Sequence, residues 1–304
     1  MSRVASLQPV FLVGAARSGT SLLYKCLCLH PDTAWISNWV RRYPGRPGLA
    51  ILNRAAGWFP RARQEVWFGG GGNAYVYGSP RSLLARVFPM PVEGEPVFAR
   101  CAVPGPGAAA VVTTPERAEA FRRAVSVMVR SGGGGVFVSK RIGHNWRIPY
   151  LRACFPEARF VEIVRDGRAV ALSLSRVDWW EDNELAWREG TPRQWRQAGG
   201  DPWELCARNW VAELDAVAGG LDAVPATQRL RVTYERFVAD PHGTLDEVAR
   251  FAGLAPSPAW DRVLGDLRFP DRNESWRHQL DAGAVRTIET VQGDHLRAYG
   301  YVAV

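Results

Sequence analysis

Eight residues near the start of the chain, Gly14-Ala-Ala-Arg-Ser-Gly-Thr-Ser21, have the make-up of an anion cradle. Glycines and small neighbours let backbone N–H groups turn inward together. A helix that starts directly afterwards aims its positive end at the same point. The two glycines have the spacing of a Walker A loop, G-x-x-x-x-G-K-[ST], but Thr20 stands where that motif carries its lysine. Arg17, inside the loop, supplies a cation instead. Asp166 follows Arg165 rather than closing an apolar strand directly, so the chain also lacks a convincing magnesium-binding aspartate. The chemistry predicted for Gly14–Ser21 is therefore the holding of a phosphate-like oxyanion without the apparatus of a magnesium-dependent NTPase.

The elements that must position this loop follow from hydrophobic periodicity. The apolar run VFLV after Pro9 predicts a strand, and Leu22, Leu23, Cys26 and Leu27 fall on one helical face, giving strand, loop, helix. A helix is predicted from Thr114 to about Arg130, opened by Thr-Pro-Glu, followed after Gly132–Gly135 by a strand, GVFVSK, ending at Lys140. A helix around Trp146–Cys154, a largely apolar strand Ala158–Val164 and a helix capped by Asp166 come next. Further on lie a helix over Pro202–Ala218, a strand Leu230–Tyr234, a helix near Thr244–Phe251 and a closing helix near Ala282–Tyr299. Residues 34–107 are rich in Trp, Pro, Gly and Arg, contain the Gly69–Gly72 run and hold no sustained period, so loops with short helices are expected there. With residues 177–204, which carry Trp179, Trp180, Trp187, Trp195 and Trp203, this stretch is read as a substrate-binding insertion. The alternation predicts one three-layer α/β domain of P-loop type over residues 1–304, with a central, mostly parallel sheet flanked by helices.

Bulk properties agree with that picture. Of 304 residues, 47% are hydrophobic and 22% charged, enough apolar side chain for a large core. The formal charge of +8 favours an anionic partner, which could be nucleic acid, a membrane surface or a phosphorylated small molecule. No run of five like charges occurs, which disfavours a nucleic-acid arm. The five cysteines, Cys26, Cys28, Cys101, Cys154 and Cys206, have no C-x-x-C spacing and sit mostly in apolar stretches, so buried free thiols in a reducing compartment are expected, with no disulfide and no zinc. The apolar run VFLVG, Val10–Gly14, soon followed by Arg17, is too short for a signal peptide or membrane span, and a cytoplasmic location is expected.

R-S-G-T-S after an apolar strand resembles the 5′-phosphosulfate loop of the sulfotransferases that use 3′-phosphoadenosine-5′-phosphosulfate (PAPS), above all the bacterial and protein-tyrosine branches, with Ala16 in place of the usual proline. The resemblance implies that Arg17, Ser18, Gly19, Thr20 and Ser21 hold the 5′-phosphosulfate, with Arg17 beside the bridging oxygen where leaving-group charge grows. RFVEIVRDGRAVALSLSR, residues 159–176, looks like the family's 3′-phosphate motif, in which a strand-end Arg is followed eight residues later by Ser; Arg165 and Ser173 match it. Two helical turns bring Ser173 back to the face on which Arg165 leaves its strand. In isolation Arg165 would read as a surface ion pair and Ser173 as a solvated position; two motifs in the right order overturn that. VSKRIGHNWRIPYLRACFPEARF is similar to the family's lysine segment and places Lys140 near the sulfate, although Arg141 and Ile142 depart from the usual Thr and Pro. Tyr234 matches the tyrosine of the R-Y-E-D-L segment, and NESWRHQL sits where relatives have a basic loop closing over the nucleotide, which would give Arg277 a phosphate contact.

The activity so implied is transfer of a sulfuryl group from PAPS to a hydroxyl or amine of a small-molecule, glycan or natural-product acceptor, with no metal. Arg17 and Lys140 would serve the sulfonate and leaving oxygen, and the acceptor would need a general base. Glu93 in PMPVEGEPVF is the chosen base, because a related bacterial branch carries a P-x-E-[AG] segment there; Glu95, His144, Asp178 and Glu181 are the alternatives. The rival functions are a small-molecule kinase or other P-loop NTPase, which would need ATP and magnesium, and a non-enzymatic basic module for nucleic acid or membrane.

Overall fold

The structure, a computed structural model, describes residues 7–69, 83–105 and 113–302. Five strands form one sheet in the order β2-β3-β1-β4-β5, and every pairing is parallel. They are β1 (Val10–Val13), β2 (Thr33–Ala34), β3 (Val136–Lys140), β4 (Arg159–Val164) and β5 (Arg229–Thr233). The expected α/β architecture with a parallel sheet is what the chain adopts. Strand β1 is central and carries no polar residue because both its faces are covered. Val10 and Leu12 face one core with Leu22, Leu23 and Leu27 of helix α1 (Thr20–Cys28). Phe11 faces the other with Phe121 and Val125 of helix α2 (Pro115–Gly132).

Helix boundaries follow the capping chemistry. Thr114 accepts a hydrogen bond from the Arg117 N–H at the start of α2. Asp166 accepts from the Arg168 N–H at 2.9 Å to open α3 (Gly167–Leu174). Asp201 opens the twenty-residue α4 (Pro202–Leu221), and Asp281 opens α5 (Ala282–Ala298). The helix expected around 146–154 is broken at Arg147 into a 3-10 turn, Ile142–Trp146, and an α-helix, Ile148–Cys154. Pro149 in the first turn of the second piece has no N–H to continue the first. The strand expected to reach Tyr234 stops at Thr233, whose hydroxyl caps a new helix, Tyr234–Ala239. The two-residue edge strand Thr33–Ala34 was not foreseen, being too short to carry a period.

The described parts of residues 34–105 are short helices joined by loops, as expected, among them Asn38–Arg42, a 3-10 helix Pro47–Arg54, Pro60–Phe68, Leu83–Val87 and Glu95–Arg100. Most of the glycine run Gly69–Gly72, with residues 70–82 and 106–107 of the insertion, lies outside the described residues. All five cysteines are free and buried.

Phe11 is fully buried and its ring meets His144, Phe155 and Phe160. Phe11→Ala should lower the unfolding free energy by about 3–5 kcal/mol through lost burial and an unfilled cavity. Urea denaturation of the purified protein checks this.

Candidate active site

Because the strands are parallel, their carboxyl ends share one edge of the sheet, and ligands of open α/β folds bind there, where strand order reverses. The loop Gly14–Gly19 leaves the end of β1, Lys140 is the last residue of β3, Arg165 follows β4 and Tyr234 follows β5. A cavity of about 740 Å³ opens at this edge, lined by Arg17, Lys140, Arg165, Ser173 and Tyr234 among others.

The loop is held by its backbone. Both backbone groups of Gly14 are bound by the buried Asn145 side chain, the N–H at 3.0 Å and the carbonyl at 3.1 Å. Gly14 has φ +138°, and a Cβ there would lie 2.3 Å from the Ile163 carbonyl of β4. Gly19 has φ +94°, and a Cβ would strike the Tyr234 ring at 2.7 Å. Only glycine fits either place, so the motif's two glycines are required by close approach as well as by torsion. Gly19 also precedes α1 without any side-chain cap, which leaves the helix's first N–H groups directed at the cavity beside Thr20 and Ser21. Arg17 is itself left-handed, φ +68°, and exposed. Ser18 is fully buried, absent from the cavity wall, and its hydroxyl has no partner among the described residues.

The second motif meets the first. Arg17 donates from Nε to the Ser173 hydroxyl at 3.0 Å, and Arg165 donates to the Arg17 carbonyl at 3.0 Å. Arg165 also donates to Asn273 Oδ1 and to the Arg272 carbonyl, both at 3.1 Å, and its guanidinium lies 4.1 Å from the centre of the Tyr234 ring. Arg277 is placed differently from the expected phosphate contact: it is half exposed, paired with Glu274, stacked on Trp276, and not on the cavity wall. Ser275 of that segment and Arg272, just before it, line the cavity instead.

Lys140 is buried and ion-paired with Glu93, and the same carboxylate takes a second bond from Arg141. Arg141 in turn reaches Glu95 at 3.0 Å, and Glu95 holds the buried Arg147. Burial pushes the Glu93 carboxyl up, but Lys140 and Arg141 together outweigh it and hold the group below the usual carboxylate range. Glu95 is held low in the same way by Arg147 and Arg141. His144 is fully buried between Phe11 and Phe98, with Nε2 3.1 Å from the Ser139 hydroxyl; burial, then the nearby cations, keep it neutral. His144, Asp178 and Glu181 are all absent from the cavity wall, and Glu181 pairs with Arg196 at 2.8 Å.

A carboxylate that the sequence reading passed over does line the cavity. Glu213, on α4, is buried and accepts a hydrogen bond from the backbone N–H of Ala16 in the phosphate loop. Burial raises its carboxyl to about 7, against the opposing pull of the Ala16 N–H, Asn209 and Lys140. Asn209 bonds Glu213 and accepts from the Trp187 indole at 2.9 Å, so the loop is linked to the tryptophan-rich segment. The clue was available: Cys206, Trp210, Glu213, Leu214 and Val217 fall on one helical face, and Glu213 is the ionisable residue on that apolar stripe. Lys25 was missed too; buried on α1, it lines the cavity, donates to the Trp67 carbonyl at 2.9 Å, and burial pulls its ammonium down to about 8. Of the two expected insertions, residues 177–186 supply much of the cavity wall, including Val177, Trp179, Trp180 and Leu185, whereas from 34–107 Glu93 is the contributor among the described residues.

The model of the sulfotransferase family matches residues 100–258, more than half of the 304. The chain belongs to the sulfotransferase family. The match includes Lys140, Arg165, Ser173, Glu213 and Tyr234, and the loop at Gly14–Ser21 lies before it. Curated relatives of this sulfotransferase include the omega-hydroxy-beta-dihydromenaquinone-9 sulfotransferase Stf3 of Mycobacterium bovis and of Mycobacterium tuberculosis, each 23% identical over 320 aligned positions, covering 96% of this chain and 75% of theirs. Among solved structures, sulfotransferase STF9 from Mycobacterium avium superposes with a TM-score of 0.60 at 15% identity, covering 97% of this chain and 78% of that one. STF1 from Mycobacterium tuberculosis gives 0.57 at 18%, covering 95% and 76%. At these identities the structural likeness is one of fold.

Glu213 keeps its proton in the folded sulfotransferase to a higher pH than in the unfolded chain. Its stabilising contribution is therefore complete below the ordinary carboxylate range and is lost as pH rises to about 7. The wild type should lose about 3 kcal/mol relative to Glu213→Gln over that interval, which urea melts at a series of pH values would detect.

Proposed function

We propose that this sulfotransferase uses PAPS as donor and a hydroxyl or amine of a small, largely apolar acceptor as recipient, and that the whole described chain is one catalytic domain. The observation that carries the reading is the direct contact of the two anion-binding motifs: Arg17 bonds Ser173, and Arg165 bonds the Arg17 carbonyl, on the wall of one cavity. A nucleotide with anionic groups at both its 5′ and 3′ ends suits such a wall, where an uncapped helix terminus, Arg17 and Arg165 gather donors. The three protein bonds of Arg165 leave two of its five N–H donors for a ligand.

PAPS, when bound, supplies an activated sulfuryl group. The chain's own residues then orient the partners and place charge. Loop N–H groups and Arg17 hold the 5′ end; Arg165 and Ser173 hold the 3′-phosphate. Lys140, kept in place by Glu93, brings its ammonium to where negative charge grows on the leaving oxygen. Val177, Trp179, Trp180 and Leu185 offer an apolar face to the acceptor. The names of the curated relatives specify a hydroxylated menaquinone, consistent with a hydroxyl recipient on an apolar body. Glu213 is better suited than Glu93 to take the acceptor's proton, because Glu93 is neutralised by two cations while Glu213 is poised to change state near neutrality. The buried free thiols support a reducing, cytoplasmic setting, and no helix among the described residues is long and apolar enough to cross a membrane.

Calorimetry tests the donor: adenosine 3′,5′-bisphosphate should bind tightly without magnesium, and preference for ATP with magnesium would reject the reading. Arg165→Lys should weaken that binding by about 10- to 100-fold, while Lys140→Ala should chiefly lower kcat; the opposite split would show the two roles reversed. Wild-type kcat should rise with pH through about 7 as Glu213 ionises, and Glu213→Gln should abolish that limb.

A further inference from the structure

Between Asp32 and Glu65 the chain has six arginines, Arg41, Arg42, Arg46, Arg54, Arg61 and Arg63, and no acidic residue. All but Arg63 are exposed, and none of the six is in an ion pair among the described residues. The same segment turns large apolar side chains to solvent: Trp58 is 71% exposed, Phe59 58% and Ile51 53%, with Tyr43 and Leu52 beside them. Folding a soluble domain explains neither feature. Exposed Trp and Phe at adjacent positions forgo burial that would have stabilised the core. Arg61, in the first turn of the helix Pro60–Phe68, opposes that helix's positive end.

We propose that this face is a docking surface for an anionic lipid bilayer. Arginines pair with lipid phosphates, an indole prefers the headgroup depth, and Ile51, Leu52 and Phe59 enter the outermost hydrocarbon. The charge complementarity selects this occupant over the others. A second copy of the chain meeting this face through a two-fold axis would set arginines against arginines. A nucleic acid would leave the aliphatic Ile51 and Leu52 without a role, since they neither stack nor hydrogen-bond. The patch is also joined to the active site. Ser37, which caps the helix Asn38–Arg42, is bridged to Pro91, and two residues beyond Pro91 the chain delivers Glu93 to Lys140.

Co-sedimentation of the full-length protein with phosphatidylcholine vesicles, with and without phosphatidylglycerol, tests the proposal. The wild type should pellet with the phosphatidylglycerol vesicles and only weakly with phosphatidylcholine alone. The double variant Trp58→Ala, Phe59→Ala should partition at least about tenfold less while retaining the wild-type circular dichroism and affinity for adenosine 3′,5′-bisphosphate. Because it retains every arginine, the double variant separates insertion from simple charge attraction. The proposal fails if the wild type ignores anionic vesicles or if the double variant binds them as well as the wild type. It fails equally if sedimentation velocity shows a wild-type dimer that the double variant dissolves. Vesicle binding needs no nucleotide, so a wrong donor assignment would leave this result intact.

Discussion

The guanidinium of Arg165 is the contact on which the arrangement of the site turns. It emerges from β4, bonds the Arg17 carbonyl of the loop after β1, bonds the chain at Arg272 and Asn273, and stacks on Tyr234 after β5. Four segments separated by up to about 250 residues are thereby referred to one planar group. A guanidinium can do this because its donors radiate in a fixed plane while its faces stay free for an aromatic ring. An ammonium in the same place would supply charge without direction. The Arg165–Tyr234 stack in turn closes the space above Gly19, which explains why a side chain cannot be tolerated there.

Charge in the site is laid out in two regimes. On one side runs an alternating chain, Lys140, Glu93, Arg141, Glu95 and Arg147, in which every carboxylate touches two cations. Such a chain fixes the position of Lys140 and holds its carboxylates ionised, so they are poor proton acceptors. On the other side Glu213 is bonded only by neutral donors, the Ala16 N–H and Asn209, with Lys140 acting on it without an ion pair, and burial raises its carboxyl to about 7. Two glutamates on one cavity thus receive opposite characters from their surroundings, a pattern by which one fold divides electrostatic support from proton handling.

The parallel sheet makes these regimes neighbours. Its strand order places β1 between β3 and β4, so the phosphate loop, Lys140 and Arg165 leave the same edge side by side. From one face of helix α4, Glu213 accepts the Ala16 N–H of the loop and Asn209, one turn earlier, accepts the Trp187 indole N–H. The basic residues of the chain accordingly fall in two separate places, Arg17, Lys140 and Arg165 on the cavity wall and the exposed arginines between Arg41 and Arg61 on the surface.

Local patterns were enough to determine the strand, loop and helix at Val10–Cys28, the parallel α/β class and the helices opened by Thr114 and Asp166. These depend on periodicity, capping and spacing, which act within a few residues or repeat as motifs. Partner choice is different, because it is made between side chains far apart in the chain. Tertiary structure alone decided that Glu93 would be neutralised by Lys140, that Arg277 would turn to Glu274 while Arg272 faced the cavity, and that Glu213 would reach the Ala16 N–H. A carboxylate's chemistry is set by which charges and how much water surround it, and for Glu213 those neighbours lie almost two hundred residues away in the chain, on a loop whose sequence says nothing of them.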